Sequence, residues 1–258
     1  MPTSLKDLRV LVTRPEGQAQ TIIETLKQQG ANVWHFPLVK ISPIISLPAS
    51  NLQDHLSRYD LLIFISPTAV RCFADTLGDS SALPARLTVA CIGSGSAREF
   101  SRIFSRTPDI FPPEAAIQDS EALLACPQLT QSSIKNKHIL IIRGKGGREK
   151  LATVLQQRQA KIDYLEVYQR LTPTADVSPL LQSIAEQQLD VIIIYSSEAL
   201  HNLMQLVTEP YTQQLLAIPL VTIHPRQSQV AKGYGFSHIY PAQGAAVENI
   251  MTTLKTIN

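Results

Sequence analysis

The feature of this sequence that most constrains its fold is an internal repeat with an offset of 129 to 131 residues. Such a period is far longer than that of a solenoid repeat, so it indicates a duplicated domain. Four segments of the first half return in the second: RVLVT (9–13) as HILII (138–142), VWHFPLVKI (33–41) as IDYLEVYQR (162–170), DLLIFIS (60–66) as DVIIIYS (190–196), and the strand and turn around Gly93 as those around His224.

Helical periodicity separates these apolar runs. A stripe with spacing i, i+3, i+4, i+7 follows the first run, and part of it recurs after an offset of 129. Short β-branched runs that alternate with such helices are typical of parallel sheets buried on both faces. We therefore predict an α/β fold. The stripe residues are Ala19, Ile22, Ile23 and Leu26, then Leu151, Val154 and Leu155.

Composition limits the protein class and the compartment. The 258 residues suit one large or two modest domains, and a net charge of +2 is too small to indicate a nucleic-acid or membrane-surface partner. The first residues lack the apolar core of a secretory signal, and no apolar run approaches the about 18 residues of a membrane span. Three cysteines without a CxxC pair fit a reducing compartment. We expect a cytoplasmic, soluble protein that need not be more than a monomer.

Six predicted strands end in polar tips, and this is where a ligand would bind. In open α/β sheets ligands lie beyond the carboxyl ends of strands, and helix N-termini there suit anions. The alternative for each serine or threonine is a helix N-cap, and the glycines can serve a tight turn. The tips are Thr13-Arg14, Ser66, Gly93 to Ser96, Gly144 to Arg148, Ser196-Ser197 and His224 to Ser228.

Several familiar sites are absent from the sequence. GSGSAR (93–98) lacks the third small residue and the following acidic residue of a dinucleotide fingerprint, and GKGGRE (144–149) is not a Walker A loop. The histidines are not at metal-ligand spacing, no GxSxG elbow occurs, and Cys91 lies within a predicted strand. The pattern alone thus indicates a two-lobe binder of a polyanionic ligand and names no reaction. Tyr168 would either face a cleft between the lobes or pack between them.

A set of short motifs then resembles a known family. The motifs are VLVTRP (10–15), HFPLVKISP (35–43), FISPTAV (64–70), IG (92–93), RGKGGRE (143–149) and VYQR (167–170). In this order, and over nearly the whole chain, they resemble the uroporphyrinogen-III synthase family.

The resemblance implies a particular architecture of two similar, flavodoxin-like lobes with parallel sheets flanked by helices. Residues 1–37 with 173–258 would form the first lobe and residues 46–166 the second. Two linker strands, 38–45 and 167–172, would join them. The residues alone leave two consecutive halves as an alternative.

It also implies the chemistry. The substrate would be hydroxymethylbilane, a linear tetrapyrrole with eight carboxylates. Loss of its hydroxyl gives an azafulvene, and the ring closes with inversion of the last pyrrole to give uroporphyrinogen III. The protein would act chiefly by conformational control in the cleft, without a cofactor or metal. The implied partners are the tetrapyrrole and, transiently, the preceding deaminase, with no nucleic acid and no membrane.

Site residues follow from the same resemblance. Tyr168 matches the family's catalytic candidate, because its hydroxyl could donate a hydrogen bond to the departing hydroxyl. The turn at 224–228 departs from the glycine and hydroxyl residues usual there. The predicted substrate-binding residues are Thr13, Arg14, Ser66, Gly93, Ser96, Arg143, Gly144, Arg148, Ser196, Ser197, His224 and Arg226; for Arg14 and Arg143 a salt bridge within the lobe, and for Arg148 a helix-surface position, stay open.

Two other functions compete with the synthase at this point. One is a non-catalytic two-lobe module that binds a tetrapyrrole or another anion. The other is a nucleotide- or phosphate-dependent transferase that uses the glycine turns.

Overall fold

The computed structural model describes residues 5–44, 55–78, 83–84, 86–113, 119–147 and 149–257. Its helices and strands alternate along most of the chain. In order they are β1 (Arg9–Val12), α1 (Gln20–Gln28), β2 (Asn32–His35), β3 (Lys40–Pro43), β4 (Leu61–Phe64), α2 (Pro67–Leu77), β5 (Thr88–Cys91), α3 (Ser94–Phe104), α4 (Ser120–Leu124), a 3-10 turn (Pro127–Leu129), α5 (Gln131–Ile134), β6 (His138–Gly144), α6 (Lys150–Gln157), β7 (Lys161–Leu171), α7 (Ser178–Ala185), β8 (Val191–Ile194), α8 (Ser197–Leu206), α9 (Thr212–Ala217), β9 (Leu220–Thr222), α10 (Pro225–Tyr234), β10 (Ile239–Pro241) and α11 (Val247–Leu254).

The chain divides into two compact units. The first unit contains the residues up to Ile41 together with those from Leu171 onward, and the second unit is Ser42–Arg170. Each unit has one five-stranded sheet, in the order β10-β9-β8-β1-β2 for the first and β3-β7-β6-β4-β5 for the second. The pairs β1–β2, β1–β8, β8–β9, β9–β10, β4–β5, β4–β6 and β6–β7 are parallel.

The strands that correspond in the sequence repeat have the same neighbours. Strand β1 lies between β8 and β2, and its counterpart β6 lies between β4 and β7. In the repeat, β4 is the counterpart of β8 and β7 is the counterpart of β2. Ile110 makes an isolated parallel bridge to Ala90, where the first unit has β10 beside β9. Because each sheet takes strands from both halves of the sequence, neither unit is a consecutive half.

Side-chain alternation gives the first sheet two buried faces. Val10 and Val12 pack with α1 and α11 on one face, while Leu11 packs with α7, α8, α9 and α10 on the other. This is the period of two that a strand imposes, and burial on both faces accounts for the continuous apolar runs. In the second unit Phe64 contacts Phe73 of α2 and Phe100 of α3.

The predicted extended run 33–41 is divided in the structure. It forms β2 in the first sheet and β3 beside β7 in the second. Pro37 lies between them and has no amide to donate to a strand partner. The predicted strand 162–170 is instead one continuous strand, β7. Helix α4 is capped by Asp119, whose side chain accepts the N–H of Ala122 at 3.0 Å.

Two aspartates at corresponding positions of the repeat form hydrogen bonds between the starts of neighbouring strands. Asp190 accepts the backbone N–H of Arg9 at 2.8 Å, and Asp60 accepts that of His138 at 2.9 Å. A side-chain hydrogen bond from Arg9 is the main cause that lowers the pKa of Asp190. The backbone hydrogen bond from His138 is the main cause that lowers the pKa of Asp60.

None of the helices in the described ranges is long and apolar enough to cross a membrane.

Candidate functional site

The carboxyl ends of the strands bring most of the predicted site residues to one edge of each sheet. Adjacent parallel strands end at the same edge, and this is where α/β proteins bind ligands.

Ser66 follows β4 and begins α2. Its backbone is extended, and its Oγ accepts the N–H of Ala69 at 3.0 Å, which is the usual N-cap geometry. Pro67 occupies the first helical position, where the missing N–H costs nothing. A Cβ on Gly95, in the first turn of α3, would lie 3.7 Å from Pro67 Cγ, so the turn at Gly93 lies beside that at Ser66.

A β-bulge determines the position of Tyr168. Strand β7 pairs with β6 in regular register up to Arg143 and Glu166, and then Gly144 pairs with Tyr168. One extra residue, Val167, is inserted on β7 at this point. The bulge therefore sets Tyr168 directly beside Gly144, a residue without a side chain.

The ring of Tyr168 lies on the bare α-carbon of Gly144. A Cβ at residue 144 would be 2.6 Å from both Cε2 and Cζ of the ring, which is closer than real contacts allow. The hydroxyl of Tyr168 is 3.2 Å from Ser66 Oγ and accepts a hydrogen bond from Arg170 Nη2 at 2.9 Å. The Arg170 guanidinium carbon lies 5.2 Å from the ring centroid. One serine, one glycine and one arginine thus fix the phenol.

Tyr168 is almost fully buried. Its side chain is 1% exposed, and the sequence had left open whether it faces a cleft or is packed. Packing against Gly144 and hydrogen bonding within the second unit account for this burial. Ser66 is half-buried and is the more accessible of the two hydroxyl residues.

Arg143 organises the glycine loop rather than facing outward. Its side chain is 3% exposed, and it donates hydrogen bonds to the carbonyls of Gly144 and Gly146 and to Glu149 Oε1 at 2.9 Å. Gly146 and Gly147 have φ of +70° and +110°, which favour glycine. Arg143 thus forms an ion pair within its own unit, which the sequence had left open beside contact with substrate.

Glu149 and Tyr164 complete the surroundings of Arg143. The guanidinium carbon lies 4.6 Å from the Tyr164 ring centroid, and the Tyr164 hydroxyl donates to Glu149. Hydrogen bonds from Tyr164 and then Arg143 lower the pKa of Glu149. Burial, and then the bond to Glu149, raises the pKa of Tyr164 to about 12. The predicted residue Arg148 lies outside the described residues.

Thr13 has a structural contact in the first unit. Its side chain is 1% exposed and its hydroxyl donates to the Ile193 carbonyl at 2.7 Å, joining β1 to β8. The Thr13 hydroxyl proton is therefore used within the first sheet. Ser96 is buried to a similar degree, at 2% exposure.

Arg14 lies over an aromatic ring at the end of β8. Its guanidinium carbon is 4.9 Å from the centroid of Tyr195, and its carbonyl accepts from His35 Nε2 at 2.8 Å. Burial is the main cause that raises the pKa of Tyr195 to about 12. Ser196 caps α8 by accepting the Ala199 N–H at 3.0 Å, the same bond that Ser66 makes in the second unit.

The atypical turn after β9 is closed by a histidine and a glutamine. His224 caps α10, with Nδ1 accepting the N–H of Arg226 at 3.1 Å. Gln227 is buried, accepts the N–H of Ile223 at 2.9 Å and donates to the Tyr195 carbonyl at 3.2 Å. The turn is therefore held against the end of β8 without the expected hydroxyl residues.

Sequence reasoning missed Arg170 and Gln227 as parts of these arrangements. Arg170 stood in the VYQR motif, but nothing in the motif indicates that its side chain returns to the phenol two residues earlier. Within the described ranges no group of three or more His, Cys, Asp or Glu could hold a metal ion. Surface depressions lined by Arg9, Trp34 and Gln188, and by Lys6 and Asp190, lie at the opposite, amino-terminal edge of the first sheet.

Comparison with known proteins identifies the relatives of this chain. Residues 20–251 match the family model described as uroporphyrinogen-III synthase HemD. The Escherichia coli K12 uroporphyrinogen-III synthase is 29% identical over 96% of this chain and 100% of its own length. The Proteus mirabilis synthase is 36% identical over 64% of this chain and 81% of its own length.

Solved structures share the fold. The uroporphyrinogen-III synthetase of Helicobacter pylori 26695 superposes with a TM-score of 0.64 at 12% identity, covering 97% of this chain and 100% of the other. A mutant synthase from the extremely thermophilic bacterium Thermus thermophilus gives 0.61 at 13% identity, covering 97% and 98%. At such identities the likeness concerns the fold alone, an α/β fold with parallel sheets flanked by helices.

Proposed function

The chain belongs to the uroporphyrinogen-III synthase family, and on that basis we propose how its residues carry out the family's reaction. The protein is a lyase that closes a linear tetrapyrrole to uroporphyrinogen III with loss of water. The family match over residues 20–251 is the observation that carries this assignment.

We propose that the two units are duplicated, flavodoxin-like lobes joined by two linker strands near residues 38–45 and 167–172. The repeat at 129 to 131 residues supports this, as does the shared strand order of the two sheets. Each lobe then combines a β–α–β unit from one copy with the later strands of the other.

The carboxylates of hydroxymethylbilane are bound at the carboxyl ends of the strands. Helix N-terminal amides and hydroxyls bind carboxylates without reacting with them, and arginines add charge. The proposed contacts are Arg14, Ser66, Gly93, Gly144, Arg148, Ser196, Ser197, His224 and Arg226, together with the backbone N–H of Ser96 in the first turn of α3. The buried side chains of Thr13 and Arg143 instead hold the strand end and the loop in place.

The proton for the departing hydroxyl of the substrate is supplied by the hydroxyl of Tyr168, the residue that the resemblance singled out. Departure of the substrate hydroxyl as water requires a proton, and the azafulvene that remains closes the ring with inversion of the last pyrrole. Since closure to the non-inverted isomer is spontaneous, the protein's contribution is to hold one geometry of the chain. No cofactor is required. Arg170 and Ser66, both within hydrogen-bond distance of the Tyr168 hydroxyl, support a proton-donating role.

A coupled assay from porphobilinogen, through the preceding deaminase, tests the assignment. We expect the oxidised product to be mostly isomer III. A pool dominated by isomer I would contradict the synthase function, and tight binding of the tetrapyrrole without conversion would instead support the non-catalytic module.

We further propose a cytoplasmic enzyme that contacts the deaminase only transiently. The buried, unpaired cysteines Cys72, Cys91 and Cys126 are consistent with a reducing compartment. Crosslinking of the two enzymes during turnover, compared with crosslinking without porphobilinogen, tests the contact.

A further inference from the structure

The hydroxyls of Tyr168 and Ser66 differ in their access to a ligand. The phenol is 1% exposed, so its own hydroxyl is not open to a large ligand. Its neighbour Ser66 is half-buried at the tip of β4, on the edge where ligands bind. The more accessible hydroxyl is therefore that of the serine.

Hydrogen-bond capacity fixes the direction of the contacts. A guanidinium can only donate, so the Tyr168 oxygen accepts from Arg170 at 2.9 Å. The Tyr168 proton, if it pointed anywhere except Ser66, would be buried without a partner, which costs about 1–3 kcal/mol. The arrangement of lowest energy has Tyr168 donating to Ser66 Oγ at 3.2 Å.

Ser66 then has one proton left over. A hydroxyl has two acceptor sites and one donor. The acceptor sites of Ser66 are filled by the Ala69 N–H at 3.0 Å and by the Tyr168 hydroxyl. Its remaining function is to donate, and at a half-buried strand tip the recipient can be a ligand.

We propose that Arg170, Tyr168 and Ser66 form a hydroxyl relay in which Ser66, and not Tyr168, touches the departing hydroxyl of the substrate. This inference depends on the proposed function. Within it Ser66 is a catalytic residue, whereas Tyr168 and Arg170 act through Ser66 and are positioning residues.

The relay step balances in atoms and charge. The carbon–oxygen bond of the substrate's hydroxymethyl group breaks, both electrons stay on oxygen, and this oxygen takes the Ser66 proton and leaves as water. The pyrrole that remains carries the positive charge, as an N-protonated azafulvene. Ser66 takes the Tyr168 proton, so the negative charge rests on the phenol oxygen beside the Arg170 guanidinium. When the new carbon–carbon bond closes the macrocycle, the ring carbon loses a proton, which restores the phenol.

Variants at Ser66 separate the relay from the helix cap. Ser66→Asn keeps a side-chain oxygen for the Ala69 amide, because asparagine is a good N-cap, but it has no hydroxyl proton to transfer. Ser66→Thr keeps both. We expect Ser66→Asn to lower kcat by about ten-fold or more, in line with the loss of a positioned acid, with little change in KM and in melting temperature. Ser66→Thr should retain most of the activity.

Tyr168→Phe and the double variant test whether the residues act as one unit. We expect Tyr168→Phe to lower kcat by about ten-fold or more, and Ser66→Asn/Tyr168→Phe to be no slower than Ser66→Asn alone. Arg170→Lys, which keeps a cationic donor, should be more active than Arg170→Gln. Independent, multiplicative losses would overturn the relay.

The outcomes also separate this inference from the function on which it depends. If the unmodified enzyme gives isomer I, the synthase assignment fails. If it gives isomer III and Ser66→Asn does so at an unchanged rate, only the relay fails. If Ser66→Asn does not fold, the same decision rests on whether Tyr168→Phe and Arg170→Gln lower kcat while Ser66→Thr does not.

Discussion

At the scale of single residues, Gly144 determines where the Tyr168 phenol can lie. Its contact is a matter of volume rather than of backbone freedom, since the ring occupies the space that any Cβ would need. The neighbouring Gly146 and Gly147 are required for a different reason, their positive φ. The three glycines of one loop therefore have two distinct functions.

Replacing Gly144 by alanine should displace the phenol. The new Cβ would meet the ring at 2.6 Å, so the ring must move and its distances to Ser66 and Arg170 must change. We expect Gly144→Ala to lower kcat for isomer III by about ten-fold or more, because the phenol that supplies the proton loses its position. Steady-state kinetics of the coupled assay measure this.

The matched control is Gly233→Ala in α10, where no atom lies within 4 Å of the added Cβ. Alanine in place of a helical glycine should leave kcat unchanged and raise stability by about 0.5–1 kcal/mol. Equal kinetics for Gly144→Ala and Gly233→Ala would show that the contact with Tyr168 does not matter for turnover.

The sequence identified the strand tips but not the orientation of their side chains. Ser66 and Ser196 could be predicted as capping residues, because a serine just before a helical stripe is a usual helix N-cap. Arg143 could not be predicted as buried, because its partners are the carbonyls of a loop whose conformation depends on Gly146 and Gly147. The setting of Tyr168 depends on a β-bulge, which leaves no signal in the pattern.

At the scale of elements, the aspartates that precede β4 and β8 fasten each central strand to its neighbour. Asp60 and Asp190 are separated by the repeat offset of 130 and each accepts a backbone N–H from β6 or β1. Both carboxylates have lowered pKa values because the hydrogen bonds favour the ionised form.

These bonds should make stability fall in acid. A carboxylate with a folded-state pKa below its ordinary value of 3.8 contributes stability above that value and loses it as pH falls through the folded-state pKa. We expect the unfolding free energy of Asp60→Asn/Asp190→Asn to decrease less between about pH 6 and pH 3 than that of the unmodified protein. Urea denaturation at each pH measures this.

Asp75→Asn, on the exposed face of α2, is the control and should keep the full acid dependence. Identical pH dependence in the double variant and the unmodified protein would show that the strand-start bonds do not contribute.

Element types were predictable because periodicity distinguishes the helices from the buried strands. The positions at which elements end were less predictable. The run 33–41 was predicted as one extended segment, and only the tertiary structure assigns β2 and β3 to different sheets, on either side of Pro37. Strand β10 has only three residues and no sequence run that marks it.

At the scale of the whole molecule, the two sheets combine the halves of the sequence in different ways. The first sheet joins β1 and β2 to β8, β9 and β10, whereas all strands of the second lie between Lys40 and Leu171. The sequence repeat indicated two copies, but pairing partners of equal hydrophobicity could not be told apart from the pattern.

The interleaved arrangement predicts which fragments fold. A fragment of residues 42–170 contains nearly all of the second sheet with its helices, so it should unfold cooperatively on heating. A fragment of residues 1–129 has β1 and β2 without β8, and β4 without β6, so it should show no cooperative transition. Circular dichroism of both fragments tests this, and equal cooperativity would contradict the exchange of strands between halves.

The exchange also has a consequence during translation. Strand β1 leaves the ribosome early, yet its partner β8 is made only after the entire second unit. Before β8 is made, β1 can form a non-native pair with β4, because the sequence DLLIF around β4 resembles the sequence DVIII around β8. The order of synthesis thus opposes native pairing, and correct assembly requires that β6 displace β1 or reach β4 first.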